Sequence, residues 1–81
     1  MEVKPKIKET IVTLLKVKPE EIKEDVSLQS SLGIDSTEMV ELVIALEKTF
    51  GVKLSPREIT KSSSVNEIEK VISSKLNSQQ K

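Results

Sequence analysis

Asp35, Ser36 and Glu38 are the residues whose types and spacing most clearly suit chemistry. Asp35 is a good N-cap, and Glu38 three residues later completes a D-x-x-E variant of the capping box. Ser36 then becomes the first residue of a helix, with its hydroxyl facing water. A helix N-terminus carries partial positive charge and N–H groups without intrahelical partners, so it favours a phosphate attached there. The position suits a phosphodiester built on the serine hydroxyl. It does not suit a catalytic serine. The G-x-S-x-G elbow is missing, and the chain has no His and no Cys with which to build a nucleophile–base pair. Glu20, Glu21, Glu24 and Asp25 cluster without calcium-loop spacing and read as a solvated acidic loop, so no metal site is expected. Gly33 and Gly51 are the only glycines, which excludes a glycine-rich phosphate loop. Lysines alternate with acids and Phe50 is the sole aromatic residue, which argues against nucleic-acid binding.

The elements that must position Ser36 follow from periodicity. Ile7, Ile11, Leu14 and Leu15 recur at helical spacing, so a first helix is expected from about Lys4 to Lys16, with Val3 extending its face. Residues 17 to 35 lack sustained periodicity and read as a long loop. Pro19-Glu20-Glu21-Ile22 is expected to form a helical turn within it, and Val26, Leu28 and Leu32 to pin it to the core. A loop of this length in a small domain is uncommon and often functional; here it ends at Ser36. The next helix is expected from Ser36 to Phe50, with Met39, Leu42, Val43, Leu46 and Phe50 on the core stripe and Gly51 as C-cap. Ser55-Pro56-Arg57-Glu58 is a second capping box, with proline at the first helical position, and predicts a short third helix ending near Lys61. Ser64-Val65-Asn66-Glu67 is a third box. It opens a last helix whose apolar face is Val65, Ile68, Val71, Ile72 and Leu76. The expected fold is all-α: a small four-helix bundle of three longer helices and a short third helix, with a long first loop.

Eighty-one residues give one domain, expected over residues 1–77 with a polar tail at 78–81. No run approaches membrane-spanning length and Met1-Glu2-Val3-Lys4-Pro5 has no apolar leader, so a cytoplasmic monomer is expected. The net charge is +0, but unevenly spread. Between Asp35 and Phe50 the acids Asp35, Glu38, Glu41 and Glu47 face Lys48 alone, a net −3. From Gly51 onward six bases against three acids give +3.

The stretch from Leu32 to Gly51 resembles the attachment region of acyl carrier proteins. That family's pattern is a D-S pair opening a helix, then V-E-L and L-E along it, then F-G at its end. Here these are Asp35-Ser36, Val40-Glu41-Leu42, Leu46-Glu47 and Phe50-Gly51. Val17-Lys18-Pro19-Glu20-Glu21-Ile22 and Val26-Ser27-Leu28 also look like the family's first loop, and the likeness extends over about Val3 to Leu76. It implies that a phosphopantetheinyl transferase (a holo-carrier synthase) attaches 4′-phosphopantetheine from coenzyme A to Ser36, capped by Asp35. The arm's thiol then holds an acyl group as a thioester, which explains how a chain without cysteine takes part in thiol chemistry. The chain itself is a carrier rather than an enzyme. It delivers cargo to acyl synthases and transferases of fatty acid or related lipid or polyketide biosynthesis.

Thr37, Val40, Glu41 and Ile44 fall off the core stripe beside Ser36. With Glu38 and Glu47 they read as a docking surface for partner enzymes with basic patches. The resemblance also implies an acyl pocket between helices, lined by Val43, Leu46, Phe50, Leu54, Ile59, Ile68 and Ile72. Two positions depart from the family pattern: Thr37 stands where an apolar residue is usual and Lys48 where an acid is common. With Arg57, Lys61 and the neutral overall charge, they point to partners other than those of bulk fatty acid synthesis. Two alternatives stay open on the sequence: an aminoacyl, D-alanyl or peptidyl carrier, and an unmodified helical adaptor.

Overall fold

The computed structural model describes residues 3–55 and 57–79, with side chains to Asn77. Four α-helices form: α1 (Val3–Leu15), α2 (Leu28–Leu32), α3 (Ser36–Phe50) and α4 (Val65–Gln79). A 3-10 turn, Pro19–Glu21, lies between α1 and α2. No strand forms among the described residues; Ser27 and Ser64 make one isolated antiparallel bridge. Helix α1 is the shared partner, packing on both α3 and α4. Its Val3, Ile7 and Ile11 meet the α3 stripe Met39, Leu42, Val43, Leu46 and Phe50 in one core. Val65, Ile68 and Ile72 bring α4 into the same core. The expected α3 stripe is buried throughout, while in the expected stripes of α1 and α4 Leu14, Leu15, Val71 and Leu76 are only partly buried and pack against the core. Helix α1 ends on Lys16, which adopts the left-handed conformation (φ 57°) although it is not glycine. Helix α4 continues to Gln79, two residues into the segment expected as tail. The expectations for Met1-Glu2, for Pro56 and for the last two tail residues lie outside the described residues.

The short helix is displaced from its expected place. Residues 57–61 form turns, not a helix: the Glu58 and Ile59 N–H groups both donate to the Ser55 carbonyl, and helical bonding stops there. Side chains take over the next donors. Ser62 N–H donates to Thr60 Oγ1 and Thr60 N–H to Ser63 Oγ. Such local side-chain bonds compete with helix formation. The short helix instead lies at Leu28–Leu32, with Ser27 as N-cap and Gly33 (φ 66°) as C-cap. Long-range backbone bonds hold it: Leu28 N–H donates to Ser63 O (3.0 Å) and Gln29 N–H to Lys61 O (2.9 Å). The two long connections thus brace each other. Leu28 is fully buried and Leu32 packs against the core, with Ile22 and Ile34 buried on either side.

Ion pairs fasten the connections to the helices. Glu24 receives Lys8 and Lys4, the latter at 3.3 Å, and Glu58 receives Lys75 at 2.9 Å. Lys8, then Lys4, hold the Glu24 carboxyl below its ordinary value of 4.5. Lys75, then the Ser55 backbone, lower that of Glu58. A carboxyl depressed in the folded state stabilises the fold above its unfolded pKa and loses that effect as pH falls through the folded value. Glu24→Gln is therefore expected to lower stability at neutral pH and to flatten the loss on acidification below about 4.5. Urea melts of both proteins across the acid range check this; identical pH profiles would show that the Glu24 pairs add nothing.

Candidate functional site

Ser36 is positioned by the end of one helix and the start of the next. Gly33 turns the chain at the end of α2, its N–H donating to Gln29 O at 3.0 Å. Ile34, only 2% exposed, anchors the following residue in the core. Asp35 is then extended (φ −101°, ψ 179°) and caps α3. The capping box closes in both directions: Glu38 N–H donates to Asp35 Oδ1 (2.8 Å) and Asp35 N–H to Glu38 Oε1 (3.1 Å). Buried Ile34 and Met39 occupy the flanking positions of a hydrophobic staple. Ser36 is left exposed at the first position of α3.

The chemistry open to this serine follows from its neighbours. The two nearest carboxylates in sequence, Asp35 and Glu38, are both committed to backbone N–H groups in the cap. The chain has no histidine to serve as a base. Nothing in the described structure activates the Ser36 hydroxyl, so it suits a group delivered by another protein whose own residues supply the base. An exposed hydroxyl at the positive end of a 15-residue helix fits a phosphodiester substituent in both access and charge. Among the described residues, no group of three or more His, Cys, Asp or Glu is placed to hold a metal ion.

An apolar groove of about 430 Å³ opens beside Ser36. One wall is α3: Met39, Val40, Val43 and Ile44, with Ser36 towards one end and Glu47 towards the other. The opposite wall is the connection before α4, supplied by Leu54, Ile59, Thr60 and Lys61. Of the side chains expected around an acyl chain, Val43, Leu54 and Ile59 line this groove. Leu46, Phe50, Ile68 and Ile72 do not; they are buried in the core. Sequence reasoning did not place Thr60 and Lys61 on this groove. It also separated Val40 and Ile44 from the groove that they line.

The outer face of α3 is as the stripe requires. Val40 is 56% and Ile44 46% exposed, and Thr37 and Glu41 are exposed beside them. Glu38 and Glu47 are half-buried. Glu47 also supports the fold directly. Its Oε2 accepts the Leu54 N–H at 2.8 Å, holding the turn after α3 against the helix.

Similarity to known proteins agrees with this geometry. The family described as "Phosphopantetheine attachment site" matches residues 5–72. The acyl carrier protein of Wolinella succinogenes is 41% identical over 66 residues, which cover 82% of this chain and 87% of its own. That of Petrotoga mobilis is 39% identical over 72 residues, covering 89% and 85%. That of Campylobacter hominis is 37% identical over 68 residues, covering 84% and 86%. These relatives match almost end to end, through the helix that begins at Ser36 and the connection that walls the groove, and they share one description. The chain belongs to the acyl carrier protein family: it is a carrier rather than an enzyme, and it bears its acyl cargo on covalently attached 4′-phosphopantetheine.

Proposed function

We propose that Ser36 is the attachment residue and that acyl intermediates borne there are handed to partner enzymes across the outer face of α3. The observation that carries this reading is the exposure of Ser36 at the first position of α3, on the lining of an apolar groove, with both flanking carboxylates locked in the cap. When bound, the arm supplies the thiol that holds the acyl group as a thioester. The chain's residues do the rest. Asp35 and Glu38 fix the helix start, and Ser36 presents its hydroxyl to the transferase. Tethering raises the cargo's effective concentration at each partner's active site. Val43, Leu54 and Ile59 offer an acyl chain an apolar wall. No helix among the described residues is long and apolar enough to cross a membrane. A cytoplasmic monomer is the working state.

Docking uses Val40 and Ile44 as apolar contacts, with Glu41 as the leading charge and Thr37, Glu38 and Glu47 around them. Glu47 contributes less, since Leu54 already engages its carboxylate. The partners are a phosphopantetheinyl transferase and acyl synthases or transferases with basic docking patches. Thr37, exposed Lys48 and the net +3 from Gly51 onward favour a specialised lipid or polyketide route over bulk fatty acid synthesis. Glu41→Lys is expected to slow association with the transferase by roughly tenfold at low salt, and by less as salt rises. Stopped-flow association of both proteins with the transferase tests this; equal rates at low salt would remove the face as the leading electrostatic contact. Intact mass after incubation with the transferase and coenzyme A, followed by peptide mapping, tests the attachment itself.

A further inference from the structure

Among the described residues four cationic side chains are half-buried: Lys4, Lys8, Lys61 and Lys75. Three have carboxylate partners. Lys4 and Lys8 meet Glu24, and Lys75 meets Glu58. Lys61 has no carboxylate within reach among the described residues, although it lines the same groove as Ser36. The only acid on that groove, Glu47, gives its carboxylate to the Leu54 N–H. The Lys61 backbone is not free to swing away, because its carbonyl accepts the Gln29 N–H at 2.9 Å from α2, the helix that leads into Ser36. A partly desolvated cation gains from an anion brought within a few ångströms, and more there than at the open surface. None of the described residues provides one.

We propose that Lys61 is a positioning residue whose ammonium pairs with the phosphodiester on Ser36 and holds the base of the arm over the groove. This rests on Ser36 as the attachment residue. The pairing forms no covalent bond and moves no proton. It supplies the missing counter-charge and biases the arm towards the groove wall formed by Ile59 and Thr60, away from the acids Glu38 and Glu41.

Two spectroscopic readouts on the unacylated protein test it. In lysine side-chain NMR of the wild type, the Lys61 Cε and Nζ resonances are expected to move between the apo and holo forms, while those of Lys53 and Lys75 stay in place. In 31P NMR of the holo protein, Lys61→Met is expected to shift and sharpen the phosphodiester resonance as the arm is released. Lys61→Arg should largely restore the wild-type position and Lys53→Met should leave it unaltered. Unmoved Lys61 resonances in the wild type overturn the pairing even if the Met variant folds poorly. A Lys61 response seen only after loading a dicarboxylic acyl group would overturn it too, since the anion would then belong to the cargo. Intact mass separates the two readings. If Ser36→Ala still gains the arm, the attachment reading fails and takes this one with it. If only the wild type gains the arm while its 31P and lysine resonances ignore Lys61, the pairing alone fails.

Discussion

Ser36→Ala is expected to abolish modification completely while leaving the protein folded. The loss is total because it removes the only oxygen the transfer can use at this site. The fold survives because the cap does not depend on that oxygen: Asp35 Oδ1 receives the Glu38 N–H, and Glu38 Oε1 receives the Asp35 N–H. Alanine is also a good helix former, so the stability change should stay within about 0.5 kcal/mol. Several other serines are engaged in the fold: Ser27, Ser55, Ser63 and Ser64 each accept a backbone N–H through Oγ. They are poor substitutes as acceptors of a transferred group. Incubation with a transferase and coenzyme A, followed by intact mass, gives the answer, with circular dichroism confirming the helices. Asp35→Ala is the informative contrast. It keeps the hydroxyl but removes the cap, costing about 1 kcal/mol, and should slow modification rather than prevent it. An alanine variant at Ser36 that still gains the arm's mass would refute the assignment.

What the sequence made legible was local. The Asp35–Glu38 and Ser64–Glu67 boxes lie within one helical turn, and both close reciprocally in the fold. The α3 stripe needs only helical periodicity, and it correctly left Val40 and Ile44 at the surface. The rest depended on contacts between distant segments. Helix α2 has a readable N-cap in Ser27 and C-cap in Gly33, but its five residues are fewer than an isolated helix needs. Ser63 and Lys61, more than thirty positions along, hold it through backbone bonds. Ser55-Pro56-Arg57-Glu58 reads as a helix start by the same rules, yet Thr60, Ser62 and Ser63 bond locally and Lys75 draws Glu58 towards α4. The groove was hardest to foresee. It lies between a helix and a turn region, so its lining depends on the path of residues 54–61, which no periodicity encodes.

That path gives the second large expected effect: a medium-length acyl chain on the arm should stabilise the fold by entering the groove. The groove is apolar, about 430 Å³, and Ser36 is among the residues that line it. Each methylene removed from water contributes about 0.8 kcal/mol, so four of them gain roughly 3 kcal/mol before the wall has moved. The wall is suited to moving. Residues 57–60 have no helical ladder and are held by side-chain–backbone bonds and the partly buried Lys75–Glu58 ion pair, while Lys61 stays tethered to α2 through the Gln29 N–H. After the cost of parting that wall from α3, a net gain of about 1–2 kcal/mol raises the melting temperature by roughly 5–15 °C in a domain of this size. The blocking substitution must be at a residue that lines the groove. Leu46 is fully buried and away from the groove, so enlarging it would strain the core. Val43, which lines the groove, is the better choice. Val43→Phe should fill the space, leave modification of Ser36 intact and cancel most of the acyl-dependent gain. Thermal unfolding of the apo, holo and acyl forms, across several chain lengths and in both proteins, decides the matter. If the acyl form melts with the holo form at every length, the chain stays outside. The groove then serves the arm or a docking enzyme, and the cargo travels exposed.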